Sequence, residues 1–309
     1  MITILSGGTG TPKLLQGIKE VVNNEDITVI VNTAEDKWLS HGYFSPDIDT
    51  VLYTLADKID DSYWYGIKGD TFKTHETLRK LGYNEVFKIG DMDRAVHIQR
   101  GKLIKDGLSL SEAIDIQRKA LGVKARVMPM TDARVETVVK TLKKDMDFHE
   151  FWVANKGELE VLDVNYKGIS KALPFNGAIG AIKKADRIII GPSNPITSIL
   201  PILSLKGMPQ ELKRKKNRCI AVSPIIGDRP LSGPAGKLMT AKGYGTNSVN
   251  VAKIYKGLIT KFVIDNLEKD SILEQINKLE IECLKTNTIM DSLEDKIKLA
   301  KFLIKLNLN

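Results

Sequence analysis

Two cysteines in 309 residues, Cys219 and Cys283, leave no disulfide framework and no CxxC pair for a metal. Long apolar runs are missing as well. The longest, at Ile188–Ile190 and Ile199–Leu205, are too short or too interrupted to cross a bilayer. No charged segment with an apolar stretch of signal-peptide type comes before the glycines that begin at Gly7. A reduced, cytoplasmic protein without a membrane span is the expectation. The four histidines, His41, His75, His97 and His149, form no HExxH and no other ligand spacing. A GxSxG nucleophile elbow is absent. The net charge of +8 comes from lysine spread along the chain, densest at Lys213-Arg214-Lys215-Lys216 with Arg218 beyond. No aromatic residues interleave that run, so it reads as a solvated face and not as a nucleic-acid footprint. The excess is compatible with small anionic substrates.

What is present is a core and an alternation. Hydrophobic residues make up 42% of the chain, enough for one large α/β domain or two smaller ones. Ile2–Leu5 and Ile27–Val31 read as buried parallel strands, each followed by turn residues and a helix. Leu14, Leu15, Ile18, Val21 and Val22 place one apolar stripe on the first helix. Arg187–Gly191, Cys219–Ser223 and Phe262–Ile264 repeat the strand pattern. Ser109–Leu121 is a helix with a capping-box start at Ser109 and Glu112 and a stop at Gly122. From Arg126 to about Tyr166 come short β-like runs, VETVVKT, FHEFWV and LEVLDV, which read as an insertion between two halves of an α/β core. Two amphipathic helices are expected at the end, about Ser271–Leu284 and about Ser292–Leu306. Ligands of doubly wound sheets bind at the carboxyl ends of the strands, which directs attention to the loops there.

The first loop is Ser6-Gly7-Gly8-Thr9-Gly10-Thr11-Pro12-Lys13. Its glycines permit close approach to a ligand, with Thr11 expected as N-cap and Pro12 at the first helical position. Free N–H groups and the positive helix end would then face a phosphate. The spacing is neither a P-loop nor a full GxGxxG, which argues against a nicotinamide oxidoreductase. Asn32-Thr33-Ala34-Glu35-Asp36 ends the second strand with acids, where a ribose-binding carboxylate can stand. Ser45-Pro46-Asp47-Ile48-Asp49-Thr50 opens a helix. Asp47 and Asp49 there can cap it, hold Mg²⁺ against a diphosphate, or orient a hydroxyl. In Lys88-Ile89-Gly90-Asp91-Met92-Asp93-Arg94 a Gly-Asp turn begins a helix, with Lys88 and Arg94 as cations for anionic groups. Gly191-Pro192-Ser193-Asn194-Pro195 repeats the first loop's logic, with Asn194 as N-cap and proline at the first helical position. Ser223-Pro224-Ile225-Ile226-Gly227 leads to Ser232-Gly233-Pro234-Ala235-Gly236-Lys237, a glycine-bracketed loop suited to a phosphate or a ribose diphosphate. Several such loops after strands of one sheet point to a large nucleotide ligand.

Taken in order, the runs SGGTGTPKLL, NTAED, SPDIDTVLY, KIGDMDRA, IGPSNPITSI and VSPIIG…SGPAGKLM resemble those of the archaeal 2-phospho-L-lactate transferases of deazaflavin coenzyme F-420 biosynthesis. The resemblance runs from residue 1 to about residue 250. It implies a Rossmann-like α/β fold, a mostly parallel sheet flanked by helices. That fold would form a single domain over residues 1–309, with an inserted helical and small β subdomain at about 62–175. It implies a homodimer, a requirement for Mg²⁺, and transfer of phospholactate from lactyl-2-diphospho-5'-guanosine to 7,8-didemethyl-8-hydroxy-5-deazariboflavin with release of GMP. Acceptor contacts map to Asp49 and Lys88, with Asp49 also as the catalytic residue. The metal falls to Asp47 and Asp49. Donor phosphates fall to Gly7, Gly8, Thr9, Gly10, Thr11, Ser193, Asn194, Gly236 and Lys237. A related family with a similar opening loop binds nucleotide sugars in regulation; SPDIDT and KIGDMD favour the transferase.

Overall fold

The computed structural model describes residues 1–308 apart from His41, Asp228, Leu231 and Ser232. Among them seven strands form one sheet: β1 Ile2–Ser6, β2 Ile27–Val31, β3 Arg126–Pro129, β4 Arg187–Ile190, β5 Cys219–Val222, β6 Lys261–Asp265 and β7 Glu282–Thr286. Every pairing is parallel, and the order across the sheet is β3-β2-β1-β4-β5-β6-β7. The order of the strands reverses between β1 and β4, so their following loops open a crevice at the switch point. β1, β2 and β5 are buried at every position, as strands covered on both faces require. Side chains alternate between two cores. Leu5, Ile30, Ile188, Ile190 and Phe262 face one, while Ile4, Val29, Ile189, Ile220 and Val263 face the other.

α1 Gly10–Ile18, α2 Pro46–Leu55 and α3 Asp91–Lys105 supply residues to the crevice, and α4 Leu110–Ala120 and α5 Leu293–Lys305 pack behind α3 and α1. α1 buries Leu14, Leu15 and Ile18 and packs against α5 and α2. The capping box of α4 is formed as expected, Ser109 and Glu112 each satisfying the other's backbone. A separate three-stranded antiparallel sheet has Glu136–Thr141 between Asp145–Asp147 and Val161–Lys167. Its central strand buries Thr137, Val139 and Thr141 in strict alternation.

Three expectations are corrected. Arg126–Pro129 pairs with β2 and is part of the main sheet, so the span 62–175 is not one continuous insertion. FHEFWV is not a strand: Asp147 Oδ1 accepts from Glu150 N at 2.9 Å and turns the chain into a wide helical turn, Glu150–Ala154. The helix expected over 271–284 stops at Asn277, and Glu282–Thr286 is the edge strand β7. No helix among the described residues is long and apolar enough to cross a membrane.

Candidate active site

At the switch point the loops after β1 and β4 are zipped together. Ser193 Oγ accepts from Gly7 N at 3.0 Å and Thr11 N at 3.4 Å, and shares a 2.6 Å hydrogen bond with Thr11 Oγ1. Gly10 is obligatory here, since a Cβ on it would stand 1.8 Å from Pro192 O. This closeness moves the helix start. Thr9, not Thr11, is the N-cap of α1, and Thr11 lies buried in the first turn with its hydroxyl turned to Ser193. Gly7, Thr11 and Ser193 therefore brace the loops, while Thr9 and Gly10 line the opening. Asn194 caps the turn Pro195–Ile199 as expected, accepting from Ile196 N at 3.0 Å and Thr197 N at 3.4 Å.

Beside these loops lies a cleft of about 500 Å³. Gly8, Thr9, Gly10, Ser193 and Asn194 form its phosphate-like end, and Glu35, Asp47 and Asp49 its acidic floor. Lys88 also lines it, its ammonium 4.2 Å from the centre of the Phe72 ring. Gly236 and Lys237 are not among the lining residues. Lys237 Nζ donates to the carbonyls of Gly157 (2.6 Å) and Glu158 (3.1 Å), tying the small sheet down. Gly233 and Pro234 reach the cleft instead. Ser232 lies outside the described residues. Lys37 reinforces the tie with an ion pair to Asp147 at 3.0 Å. His149 Nε2 donates to Glu35 O at 2.8 Å, and burial lowers the pKa of that imidazole.

The acids on the floor divide into two electrical classes. Asp47 accepts from Asn32 Nδ2 at 2.9 Å and from the Gly8 amide, yet burial outweighs both and raises its carboxyl to about 7. Glu35 is raised well above its ordinary value by burial first and by the charge of Asp47 next. Two buried carboxylates in one cleft, one raised by the other's charge, are a donor set that suits a hard divalent cation. Asp49 behaves oppositely. Burial would raise it, but Arg100 clamps both its oxygens and His97 Nε2 lies 3.2 Å away, so it is lowered to about 2. His97 also meets Asp93 at 3.1 Å. Burial disfavours its charged form, but Asp49 and Asp93 prevail and raise it to about 9. Tyr53 OH completes the cluster with a 2.7 Å hydrogen bond to Asp93.

The ligand atoms of Asp49, Asp93 and His97 lie within 4.8 Å of one another, a grouping invisible in the histidine spacing. In the structure Asp49, Asp93, His97 and Arg100 are joined as an ion-pair cluster. Sequence reasoning passed over Arg100, Gln117 and His97. Arg100 Nε donates to Gln117 Oε1 at 2.9 Å from a wholly buried position on α3. The other cation of the fourth motif, Arg94, is spent on Glu85 at 2.8 and 2.7 Å.

A parallel sheet of this order, with a glycine loop and an acidic turn meeting at its switch point, defines a Rossmann-like α/β protein built to act on a phosphate-bearing ligand. The family described as 2-phospho-L-lactate transferase CofD matches residues 2–298. The 2-phospho-L-lactate transferase of Methanocaldococcus jannaschii is 54% identical over 308 residues, covering 98% of this chain and 97% of that one. Its counterpart in Methanothermobacter thermautotrophicus is 50% identical, covering 98% and 97%. The solved structure of a UPF0052-family protein from Bacillus halodurans superposes with a TM-score of 0.64 over 98% of both chains at 16% identity, a likeness of fold. The chain belongs to the 2-phospho-L-lactate transferase family, and it is a transferase of a phosphate-containing group.

Proposed function

We propose that the chain moves 2-phospho-L-lactate from lactyl-2-diphospho-5'-guanosine to 7,8-didemethyl-8-hydroxy-5-deazariboflavin and releases GMP. The observation that carries this is the single cleft that joins the N-terminal end of α1, the Glu35–Asp47 pair and the exposed Lys88. In the reaction the acceptor's terminal ribityl oxygen bonds to the lactate-bearing phosphorus. The bond from that phosphorus to the bridging oxygen breaks, GMP leaves with the bridging oxygen, and the hydroxyl proton is lost.

The residues divide this work by position and charge. Thr9, Gly10 and Asn194 hold the donor diphosphate at the helix N-terminus, where backbone N–H groups favour anions. Glu35 and Asp47 would hold Mg²⁺, which when bound supplies charge neutralisation on the diphosphate. Asp49, kept ionised by Arg100 and His97, accepts a hydrogen bond from the attacking hydroxyl and aims it. A carboxyl lowered to about 2 is a poor proton acceptor, so its part is orientation. Lys88 meets the acceptor. Phosphoryl-type transfer needs chiefly such placement and charge stabilisation. The homodimer implied by the sequence resemblance, and the cytoplasmic location expected from the cysteine usage and the absence of a signal segment, belong to this reading.

The test is incubation with both substrates and Mg²⁺, following GMP and the new phosphodiester. No GMP release with verified substrates rejects the reading. Binding of a nucleotide sugar without turnover would favour the regulatory relatives instead. Asp49→Asn is expected to lose transfer while guanine-nucleotide binding, measured calorimetrically below its melting temperature, survives. Turnover near the parent's would refute the role given to Asp49.

A further inference from the structure

The segment Asp60–Gly66 carries three consecutive aromatic residues, Tyr63, Trp64 and Tyr65, and all three line the cleft. Its ends are closed. Ile59 bridges Ile67, Asp60 N donates to Gly66 O at 3.1 Å, and Lys68 N donates to Lys58 O at 2.8 Å. Inside this closed loop Trp64 adopts φ +59, a left-handed conformation that a bulky side chain rarely takes. Such a conformation persists only where surrounding contacts over-determine it.

Trp64 N donates to Asp60 O at 2.8 Å, the side chain packs against the apolar core, and two cations stand over its ring. Lys13 Nζ lies 5.1 Å and Lys296 Nζ 4.8 Å from the centroid of a Trp64 ring. Lys13 extends from α1, just beyond the glycine loop. Lys296 extends from α5, is buried, and also donates to Gln16 Oε1 at 2.8 Å. Among the described residues neither lysine forms an ion pair, which leaves their charge available to the indole. Tyr63 and Tyr65 flank the clamped residue at 70% and 52% exposure, their rings 5.9 Å apart and tilted by 48°. Val86, Trp152 and Val153 are further exposed apolar side chains on the same cleft. Single exposed apolar residues are ordinary, but a collar of them around one opening marks a binding surface.

On the transferase reading above, we propose that Trp64 is a positioning residue for acceptor recognition. Clamped by Lys13 and Lys296, it holds Tyr63 and Tyr65 as a stacking wall for the flat aromatic ring system of the acceptor. The collar includes Val86, two residues from Lys88. Trp64 thereby couples the helix behind the phosphate end of the cleft to the wall of its apolar end.

The experiment is steady-state kinetics of the full chain with each substrate varied in turn, for Trp64→Leu, Trp64→Phe, Lys13→Met and the double variant Lys13→Met/Trp64→Leu. Trp64→Leu should raise the acceptor KM about tenfold, with donor KM and kcat little changed, the size expected for a lost aromatic contact. Trp64→Phe should recover most of that loss. Lys13→Met should raise the acceptor KM as well, and the double variant should be no worse than Trp64→Leu alone, because the two act as one clamp. In a chain whose other tryptophans are replaced by phenylalanine, acceptor binding should change Trp64 fluorescence. An unchanged acceptor KM in both Trp64→Leu and Lys13→Met, or an equal rise for both substrates, overturns the proposal. Should the parent chain transfer nothing, the transferase reading itself falls; parent turnover with indifferent Trp64 variants sinks only the clamp.

Discussion

Asp47 and Asp49 stand two positions apart on the first turn of α2 and carry opposite electrical histories. Asp49 has its counter-charge built in, so its ionisation is native to the fold. Asp47 has two hydrogen bonds and no cation, and it is raised to about 7 from an unfolded value of 3.8. The sign follows from linkage: below pH 3.8 both states hold the proton, and stability is lost as pH rises towards 7 because the unfolded chain ionises first. Asp47→Asn should therefore melt at a higher temperature than the parent at pH 8 and alongside it at about pH 4. Thermal unfolding at the two pH values checks this. A difference independent of pH would show that the carboxyl is not perturbed. If the proposed Mg²⁺ site is formed by Glu35 and Asp47, the same substitution should weaken activation by Mg²⁺, exchanging function for stability. The sequence revealed the acidic turn because carboxylates after a strand are conspicuous. It hid the distinction between the two because that is made by Arg100 from α3, far along the chain. An arginine on a charged helix reads as surface until packing shows it buried.

Ser193 is the element-scale counterpart, one hydroxyl that fastens the turn after β4 to the turn after β1. Ser193→Ala leaves Gly7 N and Thr11 Oγ1 without their buried partner, which should cost about 1–3 kcal/mol. Urea unfolding measures the loss, and faster amide exchange at Gly7 locates it. Unchanged exchange there would mean that the loops are held by other contacts. Five of the seven sheet strands were legible as apolar runs with turn residues after them. β3 and β7 were not, because both are edge strands, where burial on one side only weakens the signal. β3 is four residues long and ends in proline. β7 follows a genuine amphipathic helix and continues its apolar spacing through Cys283 and Leu284. In FHEFWV the aromatic content suggested a strand, and a single aspartate cap two residues upstream of His149 decided for a turn. Proline at Pro195 did mark a helical start, whereas Pro12 did not, because Gly10 let α1 begin earlier.

At the scale of the whole molecule, the first and last helices are partners. Gly17 of α1 sits so close to α5 that a Cβ there would stand 2.1 Å from Lys296 O. Gly17→Val should force the helices apart at a cost of about 1–3 kcal/mol. It should also displace Lys296 from Trp64, so that a falling melting temperature and a rising acceptor KM appear together. A stable variant with parental kinetics would contradict the contact. β1 likewise sits in the middle of the sheet, next to β2 on one side and β4, more than 150 residues later, on the other.

This pairing of ends has a consequence during synthesis. α1, with Leu14, Leu15 and Ile18 on its inner face, leaves the ribosome long before α5, the helix at Leu293–Lys305 that packs on it. At typical elongation rates the wait is on the order of tens of seconds. For that interval the nascent chain carries an uncovered apolar stripe beside its glycine loop. That stripe is where a ribosome-associated chaperone would grip, and where crowding of unfinished chains would first produce aggregates.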